Sequence, residues 1–301
     1  MGNEREILIG LIGLTGAGKT TFASRASGRQ DLHIGHGADS CTQYPYTVSF
    51  RLDGHRVTLI DTPGLDDSAR PDVDILESIA KYLADSYGQG RLLDGLVFLH
   101  PITIGRVTGS ENMRTRVIKA ILGEDAFKRV AIATTMWDAF RADAAAAKRV
   151  QHEERQVGIW RAMCERGATV FKHYDTRESA LGIIRHLSRF AEPAALKLQV
   201  ELERDSRLHM TTAGREVESQ LREQIELLEI QLAAIRLQNY QDELADEDEL
   251  DDKDDEIKDM EKEIDVLTVR REKLRGTVVR IKTFLATIFT RRPRGKVRVR
   301  W

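Results

Sequence analysis

A glycine-rich stretch near the start of the chain limits most strongly what the chain can fold into. Ile7–Gly13 is almost wholly apolar and has the length of a buried strand, and it runs directly into Gly13-Leu-Thr-Gly-Ala-Gly-Lys-Thr20. The residues that follow suit a helix. A strand, a glycine loop and a helix in this order let successive backbone N–H groups surround an anion at the positive end of the helix. The pattern predicts a phosphate-binding loop in an α/β domain.

The side chains of this loop predict a nucleotide and a metal ion. Lys19 would neutralise the β- and γ-phosphates, and the Thr20 hydroxyl would be a ligand of Mg²⁺. The residues expected to contact nucleotide here are Gly13, Thr15, Gly16, Ala17, Gly18, Lys19, Thr20 and Thr21. The alternative is a glycine turn that only leads into a helix.

Strand-length apolar runs alternate with helix-compatible runs as far as Pro193. Tyr46–Leu52 and Arg56–Asp61 flank Asp53-Gly54, a tight-turn signal that predicts an antiparallel hairpin. Further strands are expected at Gly95–His100, Val130–Thr134 and Thr169–Lys172, and helices at 72–87, 111–122, 142–166 and 178–190. This alternation predicts an α/β domain over residues 1–192, with a mostly parallel sheet covered on both faces.

A second motif follows the third predicted strand. In Asp61-Thr-Pro-Gly64 the carboxylate would reach Mg²⁺ through water, and the Gly64 N–H would sense the γ-phosphate. In the loop over 28–45, Thr42 is the best further ligand, with Ser40 as its competitor and a plain loop threonine as the alternative. The predicted metal ligands are therefore Thr20, Thr42 and Asp61.

Base recognition is expected after the strand Val130–Thr134, where the chain reads Thr134-Thr-Met-Trp-Asp138. Asp138 would accept hydrogen bonds from both guanine N–H donors, and adenine would leave this carboxylate unpaired. Thr135 and Asp138 fit the usual base-reading pattern, whereas Met136 stands where that pattern has lysine.

Four segments together carry a family resemblance: Ser40-Cys-Thr42, Asp61-Thr-Pro-Gly-Leu-Asp66, Leu99-His-Pro101 and Thr134-Thr-Met-Trp-Asp138. Over Ile7–Phe190 the chain resembles the septin-related, immune-associated and chloroplast-import P-loop GTPases, most closely a fungal subgroup of G-domain proteins. The resemblance implies GTP or GDP with Mg²⁺ as ligands, and often dimerisation of G domains across the nucleotide face. We expect a homodimer that forms through the G domain, through the helical region after Pro193, or through both.

Leu65 stands where many signalling GTPases place the glutamine that orients water. Hydrolysis is therefore expected to be slow in isolation, or to depend on a group from a partner or from dimerisation. His100 and Arg106 are candidates for such a group, and a packing or surface role is the alternative for each. The candidate catalytic residues are Lys19, Thr42, Gly64 and His100.

Beyond Pro193 the pattern changes to a heptad, and residues 193–290 are expected to be helical. The two predicted seams are Val217, Leu221, Ile225, Leu228, Leu232 and Ile235, then Ile257, Met260, Ile264, Leu267, Leu274, Val278, Ile281, Leu285 and Ile288, with Arg271 at one step. Acidic residues interrupt the seam over 242–256. We expect an antiparallel coiled-coil hairpin with that acidic segment as its exposed bend, and an interrupted rod is the alternative.

The chain closes with a basic tail, residues 291–301, behind the apolar and basic segment 277–290. Contact with an anionic membrane is one interpretation, and continued coiled-coil packing is the other. The net charge of −2 argues against general nucleic-acid binding. Cys41 and Cys164 are too few for a disulfide framework, and no secretory signal or spanning run is visible, so we expect a cytoplasmic protein.

These patterns leave two functions open. The first is a guanine-nucleotide switch, a slow or partner-activated GTPase, that controls assembly through its coiled coil. The second is a coiled-coil scaffold that holds nucleotide as a structural ligand and barely turns it over. An ATPase of the chromosome-organising type is disfavoured, because Asp61 follows the phosphate loop locally instead of lying beyond the coiled coil.

Overall fold

The computed structural model describes residues 5–31, 46–62, 72–102, 109–140, 160–190, 193, 195–245 and 250–281. Its centre is a six-stranded sheet in the order β2-β3-β1-β4-β5-β6. The strands are β1 Glu6–Gly13, β2 Tyr46–Leu52, β3 His55–Asp61, β4 Gly95–Pro101, β5 Val130–Thr135 and β6 Thr169–Lys172. β2 and β3 pair antiparallel and all other neighbours pair parallel, so the predicted mostly parallel sheet is confirmed.

The turn between β2 and β3 has the predicted chemistry. Asp53 and Gly54 both lie in the left-handed region, with φ of 50° and 83°. Two consecutive left-handed residues suit the twist of a two-residue hairpin, and Asp-Gly tolerates that conformation well. The pairing of Leu52 with His55 closes the hairpin at this turn.

The helices described in full beside the sheet are α1 Lys19–Ser27, α2 Asp72–Gly88, α3 Gly109–Leu122 and α4 Arg177–Ser188. Short 3₁₀ turns occupy Glu124–Arg129 and Trp137–Phe140. Of the helix predicted over 142–166, residues 160–164 are helical, and 141–159 lie outside the described residues. The buried faces of these helices and both faces of the sheet form one apolar core.

The chain after residue 193 is largely helical. It forms α5 Lys197–Arg204, a 3₁₀ turn at Leu208–Met210, α6 Thr212–Ala245 and α7 Leu250–Gly276. In the described part of the chain, no helix combines the length and the apolar character needed to cross a membrane.

Helices α6 and α7 run antiparallel. Glu218 near the start of α6 pairs with Arg275 near the end of α7, and Arg236 near the end of α6 pairs with Glu261 near the start of α7. Six predicted seam residues are buried: Val217, Leu221, Ile225, Leu232, Leu267 and Leu274. That the pair supercoils as a coiled coil stays a prediction.

The expected bend is shorter than predicted. Helix α6 continues to Ala245 and α7 begins at Leu250, so most of the acidic segment 242–256 is helical and only 246–249 lie outside the described residues.

The predicted helix over 193–290 is wrong after Gly276. Residues 277–281 are extended, and the backbone N–H of Val279 donates to the Ser206 carbonyl at 2.7 Å while the Leu208 N–H donates to the Thr277 carbonyl at 3.0 Å. Val278 therefore lies in a bridge with Arg207 and not on a helical seam. Residues 282–301, with Leu285, Ile288 and the basic tail, lie outside the described residues.

The C-terminal helices share the core of the α/β domain. The fully buried Gln199 side chain of α5 donates to the Leu83 carbonyl of α2 at 2.9 Å, and α6 packs along α3. Val217 and Leu274, at the base of the hairpin, belong to the same apolar cluster as the sheet. The helical region is thus built onto the α/β domain, and a domain boundary at residue 192 stays a prediction.

Candidate functional site

The loop between β1 and α1 lies at the carboxyl end of the central strand. Gly13 passes so close to β4 that a Cβ there would lie 2.4 Å from the Leu99 carbonyl oxygen, so only glycine fits. Gly18 precedes α1 with φ of 90°, a conformation that side chains rarely adopt. The loop therefore turns tightly and leaves the first N–H groups of α1 directed at the carboxyl edge of the sheet.

Lys19 lies at the mouth of this loop. Its ammonium group is buried and donates to the carbonyl oxygens of Gly13 at 3.2 Å and Leu14 at 2.8 Å. These contacts hold the charge beside the N-terminus of α1, where a phosphate is also favoured by the helix dipole. The arrangement suits the phosphate role predicted for this lysine.

The two predicted metal ligands that the structure describes lie in direct contact. The Thr20 hydroxyl donates to Oδ2 of Asp61 at 2.7 Å, and Asp61 is fully buried at the end of β3. The adjacent Thr62 hydroxyl donates to the Leu11 carbonyl at 2.7 Å and fixes the chain that leaves the strand. An oxygen pair of this kind fits Mg²⁺, which takes one or two protein oxygens and completes its shell with water and phosphate.

Tyr46 completes this group, and sequence reasoning did not identify it. Its phenol hydrogen-bonds to both Asp61 and Thr20; burial raises the pKa of this phenol, and the Asp61 charge raises it further. The phenol is therefore neutral at physiological pH and lies beside the candidate metal ligands. Its place as the first residue of β2, directly after the loop that holds Thr42, was the available signal.

One polar atom of the loop supports a nucleotide phosphate as its ligand. The Thr15 hydroxyl oxygen is buried and has no hydrogen-bond partner. Buried hydroxyls normally have partners, so an orphaned one within a glycine loop indicates a missing ligand. Ala17 and Thr21 take the positions predicted for them, in the loop and in the first turn of α1.

The predicted base-reading loop is tied to the phosphate loop. The Thr135 hydroxyl at the end of β5 donates to the Ala17 carbonyl at 3.0 Å, in a buried contact. Trp137 is buried, and its indole N–H donates to the Thr134 carbonyl at 2.9 Å. Between them Met136 is exposed and has φ of 63°, which leaves Asp138 exposed at the same edge. The structure thus brings Thr135 and Asp138 to the edge where the phosphate loop lies.

A second loop, after β6, joins this edge. The Lys172 ammonium lies 4.7 Å from the centre of the Trp137 ring, and the exposed Tyr174 ring lies 6.2 Å from it. Asp175 forms a two-point ion pair with Arg25 of α1, at 2.9 and 3.2 Å. Sequence reasoning missed this loop, because a single short strand carried no motif at its end.

His173 lies beneath that loop. Its ring is buried against Phe22 of α1, and Nδ1 is 2.8 Å from the Ser179 hydroxyl. Its backbone N–H donates to the Thr134 carbonyl at 2.8 Å, so β6 and the base-reading loop are coupled. Burial lowers the pKa of His173 to about 4.

His100 has the surroundings of a packing residue. It is buried at the end of β4, with its ring edge-on to Trp160 at 4.9 Å and to Phe98 at 6.2 Å. This is the packing alternative stated for it, and its catalytic role stays a prediction.

Several predicted residues lie outside the described residues: Ser40, Thr42, Gly64, Leu65 and Arg106. No group of three or more His, Cys, Asp or Glu side chains that could hold a metal ion occurs within the described ranges. Among the described residues, Thr20 and Asp61 are the candidate ligands of a metal ion, and nucleotide oxygens and water would share its shell with them.

Comparisons with known proteins agree on the first part of the chain. The AIG1 family model matches residues 7–179. GTP-binding protein A from Dictyostelium discoideum is 28% identical over 175 residues, which cover 58% of this chain and 37% of that protein. The chain thus matches well under half the length of this relative.

Solved structures are similar to the chain in fold. A dimerization-deficient mutant of Toc33 from Arabidopsis thaliana has a TM-score of 0.51 at 14% identity, covering 62% of this chain and 86% of that one. A second structure has a TM-score of 0.53 at 14% identity and covers 64% of this chain and 86% of its own. It belongs to a study of the chloroplast translocon components atToc33 and psToc159, for which dimerization is described as important for GTPase activity. At such identities the likeness shows the fold alone.

Proposed function

Because this chain belongs to the AIG1 family, we propose that it binds GTP and GDP with Mg²⁺ and hydrolyses GTP. The observation that carries the proposal is the contact between Thr20 and Asp61 beside the loop that holds Lys19. This places a pair of hard oxygen ligands next to a fixed positive charge and a helix N-terminus, which together suit a triphosphate with its metal ion.

In the proposed complex the chain's own residues have separate tasks. Thr20 and Asp61 hold Mg²⁺, with Thr42 as the third ligand proposed from sequence. Lys19 and the N–H groups from Thr15 to Thr21 hold the phosphates. Bound Mg²⁺ would neutralise charge that develops on the phosphate oxygens.

Guanine selectivity is proposed for Asp138, with Thr135 fixing its loop to the phosphate loop. Asp138 is exposed at the edge of the site, where a base would cover it. A carboxylate pairs with the two N–H donors of guanine, and adenine offers no such pair there.

We propose that hydrolysis is slow in the single chain and is assisted by dimerisation across the nucleotide face or by a partner. Leu65 cannot orient water, and His100 is buried beside Trp160, so among the described residues we identify no side chain free to do so. The statement that dimerization is important for GTPase activity belongs to atToc33 and psToc159, and its extension to this chain is part of the proposal.

The same observations favour a second candidate function. With no water-orienting side chain identified among the described residues, the chain would hold nucleotide as a structural ligand and act as a scaffold through its helical hairpin. The two candidates differ in turnover and not in binding.

Three finer proposals accompany the first. They are a relation to septins with closest likeness to a fungal subgroup, a cytoplasmic location, and peripheral membrane contact of the basic tail 291–301. A cosedimentation assay with anionic and neutral vesicles, comparing the full chain with a variant whose tail arginines are replaced by glutamine, tests the last of them.

The test of the main proposal measures binding and turnover on the full chain, since the C-terminal helices share its core. Labelled GTP, GDP and ATP are titrated with Mg²⁺, and phosphate release is followed as protein concentration rises. Guanine-selective binding with turnover per chain that increases with concentration is the expected result. Binding without turnover at any concentration supports the scaffold, and equal or preferred ATP binding overturns the role of Asp138.

A further inference from the structure

The outer face of α6, turned away from α7, carries large exposed apolar side chains. Leu227, Ile230, Leu237 and Tyr240 are 56–61% exposed. They lie opposite the seam that α7 covers, where a two-helix hairpin ordinarily has charged residues. A solvated helix face with four such residues indicates an interaction surface.

The order of large and small side chains along this face is symmetric about the midpoint between Ala233 and Ala234. Counting outward in steps of three, the face reads Leu227, Ile230, Ala233 on one side and Ala234, Leu237, Tyr240 on the other. Both alanines are exposed, and small side chains at the centre let a second helix approach closely. The face is about 20 Å long, from the helical rise per residue.

When two copies of this face are placed antiparallel, large side chains of one copy lie opposite large side chains of the other. In a two-fold interface each residue pair occurs twice, so the face must complement its own reversed order. With the axis at the two alanines, Ile230 lies opposite the partner's Leu237, and Leu227 lies opposite the partner's Tyr240. Every large side chain then meets a large one, and the small ones meet at the centre.

The charges select the same arrangement. Between Leu227 and Tyr240 the only charged residues are Glu229 and Arg236, which flank the face. Reversed copies place Glu229 opposite the partner's Gln238 and two residues from the partner's Arg236. Parallel copies would place this flank against the opposite flank of the partner, which carries no charged residue between Leu227 and Tyr240, so neither Glu229 nor Arg236 would gain an opposite charge.

We propose that this face binds a second copy of the chain, antiparallel, across a two-fold axis at Ala233 and Ala234. The described residues favour this occupant over an unrelated protein, because the order of side-chain sizes along the face matches its own reverse. Glu229 and Arg236, the latter also paired with Glu261 of α7, add opposite charges on one flank. The proposal does not depend on nucleotide. It adds a contact at the hairpin to any dimerisation of the nucleotide face.

The test is sedimentation of the full chain over a wide concentration range, without nucleotide and with a metal chelator. We expect a reversible dimer, and the substitution Ile230→Glu or Leu237→Lys should each raise its dissociation constant at least about tenfold, as for a central interface residue. Both positions are more than half exposed, so unchanged circular dichroism and melting are expected for each variant.

Mixing the two variants gives the decisive result. In an antiparallel pair Glu at position 230 meets Lys at position 237 of the other chain, so the mixture should form a heterodimer although neither variant dimerises alone. In a parallel pair these groups would not meet. A mixture that stays monomeric overturns the antiparallel arrangement.

The matched control is Val269→Glu, which changes an equally exposed apolar residue on the outer face of α7. This variant should dimerise like the unchanged protein. Loss of the dimer by this change, a dimer that Ile230→Glu leaves intact, or a full chain that is monomeric throughout would each overturn the proposal. The last outcome would leave the C-terminal residues 282–301 or a different protein as the occupant of the face.

Failure here is separable from failure of the proposed function. Guanine-nucleotide binding by Ile230→Glu should equal that of the unchanged chain. A dimer that appears only with a GTP analogue and survives Ile230→Glu would support the nucleotide-face contact and contradict this one.

Discussion

The phosphate-binding edge and the base-reading edge of the candidate site are built differently. At the phosphate edge, backbone geometry determines the shape of the loop, because Gly13 allows close approach to β4 and Gly18 sets the start of α1. At the base edge, side chains hold the loops, through Trp137 and the buried His173. Thr135 is the hydrogen-bonded connection between the two edges.

The difference explains which edge keeps a familiar sequence. A loop that binds through N–H groups needs glycines at fixed steps, so its pattern can be read directly. An edge held by side-chain packing can exchange one residue for another while its shape survives. Met136, exposed with positive φ where lysine is usual, stands at the edge that has this freedom.

The largest expected effect is a loss of nucleotide affinity at the phosphate edge. Lys19→Ala should lower GTP and GDP affinity by about a hundredfold, because a charge-assisted hydrogen bond of about 3 kcal/mol is lost. Titration calorimetry on the full chain measures it. Lys81→Ala, at an exposed lysine of α2, is the matched control and should bind like the unchanged chain. Affinity within about threefold would show that the loop does not use this charge.

A comparable effect is expected at the base edge. Asp138→Asn should reduce the preference for GTP over ATP by about thirtyfold, since an amide presents one donor to a guanine N–H and loses about 2 kcal/mol. Competition of GTP, GDP and ATP for a labelled nucleotide gives the preference. Asp85→Asn on α2 is the control. If the preference is unchanged, guanine is read elsewhere.

The packing beneath the base edge should respond to pH. Burial lowers the pKa of His173 from 6.5 to about 4, so below pH 6.5 the unfolded chain takes up a proton that the folded chain refuses. Stability from this group is complete above 6.5 and is lost as pH falls towards 4. Between pH 7.5 and 5.5 the loss should be about 1.4 kcal/mol.

Urea unfolding of the unchanged chain and of His173→Gln at both pH values measures this loss. The variant should lose less stability than the unchanged chain by that amount, because other titrating groups are common to both. Equal losses would mean that His173 takes up a proton in the folded chain as readily as in the unfolded one.

The smallest effect is expected at the Tyr46 hydroxyl, beside the candidate metal ligands. Tyr46→Phe removes a hydroxyl that hydrogen-bonds to Asp61 and Thr20, so Mg²⁺ should compete with one group fewer and bind about fivefold more tightly in the presence of GDP. Magnesium titration of nucleotide release measures it. Tyr87→Phe removes a hydroxyl bonded to Glu203 elsewhere and serves as control. Weaker magnesium binding would instead make Tyr46 a supporting group.

The sequence predicted the sheet well because buried strands are apolar runs with clear ends. Val130–Thr134 and Thr169–Lys172 match the observed strands within a residue, and Asp53-Gly54 marks its turn. Tyr46 and His173 were missed, since their importance arises from contacts with Asp61 and with α1, which lie far away in the sequence.

The C-terminal helices show where periodicity misleads. The heptad continues past Gly276 into Val278 and Ile281, yet the chain there pairs with 206–208. Val278, which stands on the heptad, is exposed, whereas its neighbour Val279 is buried in the core. Periodicity likewise gave no sign that Val217 and Leu274 would join the core of the sheet.

An ion pair between Lys273 of α7 and Asp74 of α2, at 2.7 Å, connects the base of the hairpin to the start of α2. Asp74 lies in the first turn of α2, which begins directly after the segment that follows Asp61. Helix α6 continues from Glu218, which pairs with Arg275 beside this contact, to Ala245, so the hairpin extends about 40 Å beyond the ion pair. A tilt of the hairpin by about 5° displaces its far end by about 3.5 Å. A small angular change at the base of the hairpin would therefore move its far end by a distance comparable to the length of a hydrogen bond.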